Sequence, residues 1–93
     1  MIVCSKHEGN GTYREFVIDD AEMGDRVEVK THLVEDDENW HEAGIITRTG
    51  NMLEVSVLKP SRRFVKLDKV FPNEIAALQA IAVSYEATPR PRH

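Results

Sequence analysis

Residues 26–34, Arg-Val-Glu-Val-Lys-Thr-His-Leu-Val, carry the pattern that decides the fold. Val27, Val29, Thr31 and Leu33 alternate with polar or charged residues, and a period of two places all four on one face of a strand. The segment is therefore predicted to be a strand that buries one face and exposes the other.

Similar segments lie on both sides of this strand and are separated by turn residues. We predict strands over residues 13–18, 25–34, 40–48, 52–58 and 62–70. The acidic run between the second and third of these is too polar to bury and is predicted to form a hairpin loop.

The apolar period changes after residue 70. Pro72 and Asn73 are typical of a helix entry, with Asn73 as the N-cap and Glu74 in the first turn. A helical stripe follows, formed by Ile75, Leu78, Ala82 and Tyr85 with Ile81 on its flank. The helix is predicted to end near residue 87.

These elements predict an α+β protein: an antiparallel β-meander of four to five strands with one C-terminal helix packed on one face. We divide the chain into an N-terminal segment (1–12), a single α+β domain (13–87) and a flexible basic tail (88–93). The helix is expected to cover the apolar strand face, namely Val27, Val29, Leu33, Val55, Val57, Val65 and Leu67.

The composition fits one small globular domain. The chain has 93 residues, of which 41% are hydrophobic and 30% charged. No segment approaches the roughly 18 apolar residues of a membrane span, and the first residues lack the pattern of a signal peptide. Cys4 is the only cysteine, which excludes an internal disulfide and fits a reducing compartment. We expect a cytoplasmic protein without membrane contact.

Charge is divided unevenly along the chain, whose net charge is −4. Residues 1–42 carry 12 acidic and four basic side chains, whereas residues 43–93 carry four acidic and eight basic ones. If the two halves lie side by side, these charges partly neutralise each other. If they lie on opposite faces, the molecule is dipolar and attracts a charged partner.

The sequence lacks the motifs of catalysis and of metal or cofactor binding. Cys4 and His7 have the spacing of two zinc ligands, but structural zinc takes four nitrogen or sulfur ligands. No serine lies in a Gly-x-Ser-x-Gly motif, and Gly9 and Gly11 are not followed by the Gly-Lys-Ser/Thr of a phosphate-binding loop. We predict no enzyme activity, no metal and no cofactor.

Two groups of residues are candidates for binding. Arg62, Phe64 and Lys66 alternate along one strand, and an aromatic ring between cations is able to stack on a nucleic-acid base. The alternative is a Phe64 covered by other protein and lysines that only solubilise. Trp40 opens its strand beside the acidic loop, either as a core residue or as a binding anchor.

Two segments resemble known proteins. The segment 71–78, Phe-Pro-Asn-Glu-Ile-Ala-Ala-Leu, resembles the helix entry of uncharacterised small bacterial proteins that place a C-terminal helix behind an antiparallel sheet. That resemblance covers residues 40–86 and implies a fold but no activity. The succession of short strands in residues 24–29, 40–46 and 53–55 resembles that of SH3-like barrels of the Tudor kind. This resemblance implies that the helix is an addition to the barrel.

The sequence therefore favours a small non-enzymatic protein that binds a protein partner or itself, through an edge strand or the face of the Trp40 strand. One alternative is a nucleic-acid-binding module that uses Arg62, Phe64 and Lys66, although the net negative charge argues against it. Another is an acidic inhibitor whose first half mimics a nucleic-acid strand.

Overall fold

The computed structural model describes residues 2–9, 11–19 and 24–86. Its elements follow in chain order as β1 (Ile2–Gly9), β2 (Thr12–Ile18), β3 (Arg26–Leu33), β4 (Asp36–Thr49), β5 (Met52–Leu58), β6 (Phe64–Phe71) and α1 (Glu74–Ser84). The strands form one antiparallel sheet in the order β1-β2-β3-β4-β5-β6. This sheet curves into a half-barrel, and α1 packs on its core side. The α+β class with a C-terminal helix is thus confirmed.

The sheet has six strands, so the prediction of four to five strands is wrong. The additional strand is β1, which lies within the segment expected to precede the domain. Ile2 pairs with Ile18 and Cys4 with Phe16 along the adjacent strand β2. Lys6 lies on the same face as Ile2 and Cys4, so β1 has no clean apolar alternation. The predicted tail (88–93) lies outside the described residues.

The acidic run also differs from its prediction as a loop. The turn between β3 and β4 is Val34-Glu35, and β4 already begins at Asp36. β4 continues for 14 residues, twice the length of β5. β4 contains a bulge at Ala43, which lies between the pairs Val29–Gly44 and Lys30–Glu42 and has no partner in β3. The extra residue changes which side chains of β4 face the core.

The core is formed by one face of the sheet and one face of α1. Its buried apolar residues are Phe16, Ile18, Val27, Val29, Ala43, Ile46, Leu53, Val55, Val57, Ala77, Leu78, Ile81 and Ala82. Leu67 is only partly buried, and Val65, predicted to be covered, is 44% exposed at the edge strand β6. Ile75, predicted to face the sheet, is also exposed, because α1 turns Ala77 inward instead. Apolar residues occupy nearly every side of α1, so periodicity alone does not identify its buried face.

Both ends of α1 are capped by side chains. The side-chain oxygen of Asn73 accepts a hydrogen bond from the backbone nitrogen of Ala76 at 2.8 Å, which confirms Asn73 as the N-cap. At the other end, the ammonium group of Lys59 donates to the carbonyl oxygen of Ser84, and that of Lys6 donates to the carbonyl oxygen of Tyr85. Two cations thus complement the negative end of the helix dipole. In the described residues, no helix is long and apolar enough to cross a membrane.

Gly44 allows the helix and sheet to approach closely. A Cβ atom at this position would lie 2.5 Å from the backbone carbonyl oxygen of Ser56 and 3.1 Å from Cδ1 of Ile81. The carbonyl oxygen belongs to the paired strand β5 and cannot move without disturbing the sheet. A side chain at this position would therefore push β4 away from β5 and α1.

We expect Gly44→Ala to lower the free energy of unfolding by about 1–3 kcal/mol, because overpacking forces the backbone to shift. Urea denaturation followed by circular dichroism measures this change. Gly24→Ala is the control, since a Cβ atom at Gly24 meets nothing within 4 Å. An equal loss of stability in both variants would contradict the close approach at Gly44.

Candidate binding cleft

The long strand β4 leaves part of the sheet unpaired. Residues 44–47 pair with both β3 and β5, whereas residues 36–42 pair only with β3 among the described residues. We call residues 36–42 the β4 arm. No strand of the described residues lies along the second edge of the arm, so backbone groups on that edge are available to a partner.

A cleft of about 790 Å³ borders the β4 arm. The turn between β5 and β6 (residues 59–63) and the C-terminal end of α1 form its other sides. Its lining combines apolar and charged side chains: Arg14, Leu33, Asp36, Asn39, His41, Glu42, Leu58, Lys59, Pro60, Arg62, Phe64, Tyr85 and Glu86. Such a mixture suits a ligand with both apolar and charged groups.

Arg62 holds an unusual backbone conformation at the rim of this cleft. The backbone nitrogen of Arg62 donates to the carbonyl oxygen of Lys59 at 2.8 Å, and the nitrogen of Lys59 donates to the carbonyl oxygen of Arg63 at 2.9 Å. These bonds close a tight hairpin and leave Arg62 with a φ of 66°. Hairpins of this kind usually place glycine at such a position, because a side chain is strained there. Arg62 is the only non-glycine residue in the described part of the chain with positive φ.

Arg14 contributes a nearly buried positive charge to the cleft. Its side-chain Nε donates to a carboxylate oxygen of Glu8 at 2.7 Å, and its guanidinium carbon lies 5.3 Å from the ring centre of Tyr85. Arg14 is not among the binding residues predicted from the sequence. The available signal was its position on β2, where a period of two places a charged residue on the same face as Phe16 and Ile18.

Burial raises the pKa of the Tyr85 hydroxyl above its ordinary value of 10.0. Arg14 lowers that pKa and Glu8 raises it, each by a smaller effect. Tyr85 therefore stays protonated at neutral pH and remains a hydrogen-bond donor. Its ring also packs edge-to-face on Phe16, with the ring centres 5.5 Å apart. These contacts fix the position of Tyr85 just beyond the last residue of α1.

The two sides of the cleft carry opposite charges. Lys59 and Arg62 lie in the turn, whereas Asp36 and Glu42 lie on the β4 arm. The ammonium group of Lys59 lies 3.7 Å from a carboxylate oxygen of Glu86. Arg62 forms no ion pair or hydrogen bond through its side chain with any described residue. It is thus the cation of the cleft most available to a ligand.

The four residues that the sequence singled out for binding do not form one surface. Arg62 and Phe64 both line the cleft. Lys66 lies on the outer face of β6, where its ammonium group pairs with the Glu54 carboxylate at 2.8 Å. Trp40 stacks on His32, with the ring centres 4.0 Å apart, and remains 44% exposed.

His32 explains why Trp40 is only half-exposed. The imidazole lies under the Trp40 ring, and its Nε2 is 3.0 Å from a carboxylate oxygen of Glu15. The second ring nitrogen, Nδ1, is buried without a hydrogen-bond partner among the described residues. Trp40 therefore shields a polar pair on the outer face, a role between core residue and exposed anchor.

A second groove separates β6 from α1. It has a volume of about 620 Å³ and is lined mainly by apolar side chains, including those of Leu67, Phe71 and Val83. Val83 is 80% exposed. The edge of β6 beside this groove is irregular, because three residues of β6 lie opposite the single residue Val55 of β5. Such a bulge disfavours regular pairing with a further strand.

The described residues include no group of three or more His, Cys, Asp or Glu side chains placed to hold a metal ion. His41 lines the cleft, but no serine, threonine or cysteine lines it within the described part of the chain. A histidine acts as a base in covalent catalysis only when a nucleophile lies beside it.

No protein-family model matches this chain, and comparison with curated proteins and with solved structures gives no significant similarity. The two resemblances noted in the sequence therefore stay predictions.

We expect Arg62→Gly to raise the free energy of unfolding by about 0.5–1 kcal/mol. Glycine removes the strain of a left-handed backbone, and this gain exceeds the added freedom of the unfolded chain. Arg63→Gly is the matched control, because it removes the same charge from a residue with ordinary φ. Arg63→Gly should lower the free energy of unfolding by about 0.5–1 kcal/mol, because glycine there only adds freedom to the unfolded chain. Urea denaturation of both variants measures the difference, and a loss of stability in Arg62→Gly as large as that in Arg63→Gly would contradict the strain at Arg62.

Proposed function

We propose that this protein is a non-enzymatic binding module that holds an extended acidic segment of a protein in the cleft. The guanidinium group of Arg62 pairs with a carboxylate of that segment, and Phe64 supplies an apolar contact beside it. The backbone strain of Arg62 is the observation that carries this proposal.

The strain at Arg62 supports a functional role because the hairpin requires a positive φ at this position, whereas no contact of the described residues requires the side chain to be arginine. A left-handed backbone costs a non-glycine residue roughly 1–2 kcal/mol, and strained residues concentrate at functional sites. The Arg62 side chain contributes no ion pair or hydrogen bond with the described residues that would offset this cost. A carboxylate ligand offers the guanidinium group two parallel hydrogen bonds and thus a reason to keep arginine here.

The β4 arm supports an extended segment as the occupant. Its second edge is unpaired and borders the cleft, so its backbone groups are placed to bond with an added strand. Side chains of an extended segment alternate in direction. The side chains on one side of the segment would then reach Arg62, while the backbone of the segment lies along the β4 arm. Phe64, which is 43% exposed, lies two residues beyond Arg62 and adds apolar area to the contact with the segment.

The pairing of the other cations supports a protein over a nucleic acid. The Lys66 ammonium group is already bonded to Glu54, and Arg14 is bonded to Glu8. A phosphate backbone entering the cleft would place a negative charge at every nucleotide near the carboxylates of Asp36 and Glu42, whereas a peptide needs a carboxylate only where it meets Arg62. Phosphate tracking needs an unbroken row of cations, so this distribution of charge favours a ligand with isolated carboxylates.

A defined peptide tests the proposal. The probe is a fluorescein-labelled short peptide in which glutamate alternates with leucine, and fluorescence anisotropy gives its Kd. We expect Arg62→Gly to raise Kd about tenfold, because a charged hydrogen bond contributes about 1.5–3 kcal/mol. Arg63→Gly is the matched control and should change Kd less than threefold.

Two results would overturn the proposal. One is equal binding of the control peptide in which lysine replaces glutamate, since the cleft would then not recognise carboxylates. The other is displacement of the labelled peptide by a single-stranded oligonucleotide at lower concentration than by unlabelled peptide, which would favour a nucleic-acid-binding module. Because Arg62→Gly should be more stable than the wild type, its loss of binding would not reflect unfolding.

A further inference from the structure

The β3–β4 turn and the first three residues of β4 form an acidic segment next to the cleft. We call residues 34–38 the acidic tip. Glu35, Asp37 and Glu38 are exposed, and their carboxylates form no ion pair with described residues. Val34, in the same turn, is 50% exposed. The tip thus presents carboxylates and an apolar side chain together, which is the chemistry proposed for the cleft's occupant.

A basic counterpart lies at the same end of the molecule. We call the turn between β5 and β6 (residues 59–63) the basic turn. Arg62 and Arg63 are both exposed in it, and neither side chain has an ion-pair partner in the described residues. Asp36 of the acidic tip and Arg62 line the same cleft, yet the two do not pair with each other within one molecule. Two groups of opposite charge, neither of them in an ion pair with a described residue, therefore lie on either side of one opening; the Asp36 carboxylate accepts a hydrogen bond from the side-chain nitrogen of Asn39 at 2.7 Å.

The ion pairs of the fold leave this separation of charge in place. Glu8 pairs with Arg14 and Glu15 with His32 within the first half of the chain. Within the second half, the pairs are Arg48–Glu74, Lys59–Glu86 and Lys66–Glu54. No ion pair among the described residues joins the acidic half to the basic half. The charges of the acidic tip and the basic turn remain available to another molecule.

We infer that the acidic segment is the acidic tip of a second copy of this chain. This inference rests on the proposed function, because it identifies the segment that Arg62 binds. A two-fold axis through the cleft places the tip of each copy against the basic turn of the other, so both contacts form at once. Each contact pairs Glu35 or Asp37 with Arg62 of the second copy, while Arg63, which does not line the cleft, adds only an attraction screened by water and salt.

Exposed apolar side chains accompany both sets of charges. Val34 belongs to the acidic tip, and Phe64 follows the basic turn directly. They are 50% and 43% exposed in the single chain. In the two-fold arrangement Val34 of one copy lies close to Phe64 of the other, which removes both from water. Such a contact at the centre of the charged groups would shield them from salt and strengthen them.

Charge reversal in two separate variants tests the inference by sedimentation velocity. The acidic variant is Arg62→Asp with Arg63→Asp, since aspartate tolerates a left-handed backbone better than most residues. The basic variant is Glu35→Lys with Asp37→Lys. We expect wild-type dimers at low salt that dissociate as ionic strength rises. Each variant alone should be monomeric, whereas an equimolar mixture should form dimers again because both contacts regain opposite charges.

Val83→Glu is the control for the groove between β6 and α1, and it should leave the dimer unchanged. The inference is overturned if the wild type is monomeric at low salt, if either charge-reversed variant still dimerises alone, or if only Val83→Glu prevents dimerisation. A monomeric wild type that binds the glutamate peptide through Arg62 would overturn the second copy as partner and leave the proposed function intact. A wild type that stays monomeric at low salt and also fails to bind the glutamate peptide would overturn both.

Discussion

Packing of α1 against the concave face of the sheet is the interaction on which the other features depend. In the described residues β1 and β6 do not pair with each other, so the half-barrel buries its apolar face only through the helix. Leu78 and Ile81 are fully buried there, and Gly44 lets the sheet come close to Ile81. Lys6 and Lys59 then hold the C-terminal end of α1 at the rim of the cleft.

Much of the fold follows from local sequence. The alternation in residues 26–34 and 52–58 predicts β3 and β5 within one residue, because both lie inside the sheet with one apolar face. Asn73 marks the helix entry correctly. β1 escapes prediction because an edge strand is only half covered and tolerates Lys6 on its inner face. The orientation of α1 also escapes, since Ala77 and Ile75 are both apolar and only the sheet decides which is buried.

The candidate site is less predictable than the fold. Arg62 and Phe64 attract notice as an aromatic residue near cations, and the structure places both at the cleft. The spacing of these residues does not reveal that Lys66 forms an ion pair with Glu54, because Glu54 lies on the neighbouring strand β5. Nor does Pro60-Ser61-Arg62 contain the glycine or asparagine that would announce a left-handed residue. Strain of this kind becomes visible only in the backbone.

Amide hydrogen exchange, measured by NMR on the wild type and on Ile81→Ala, tests most directly whether the helix supports the whole sheet. The substitution creates a cavity and should lower the free energy of unfolding by about 2–5 kcal/mol. If the sheet is stable only with α1 packed on its concave face, the slowest-exchanging amides of β2, β3, β4 and β5 should all lose protection by the same factor. Unchanged protection in these strands, with loss confined to α1, would contradict this account.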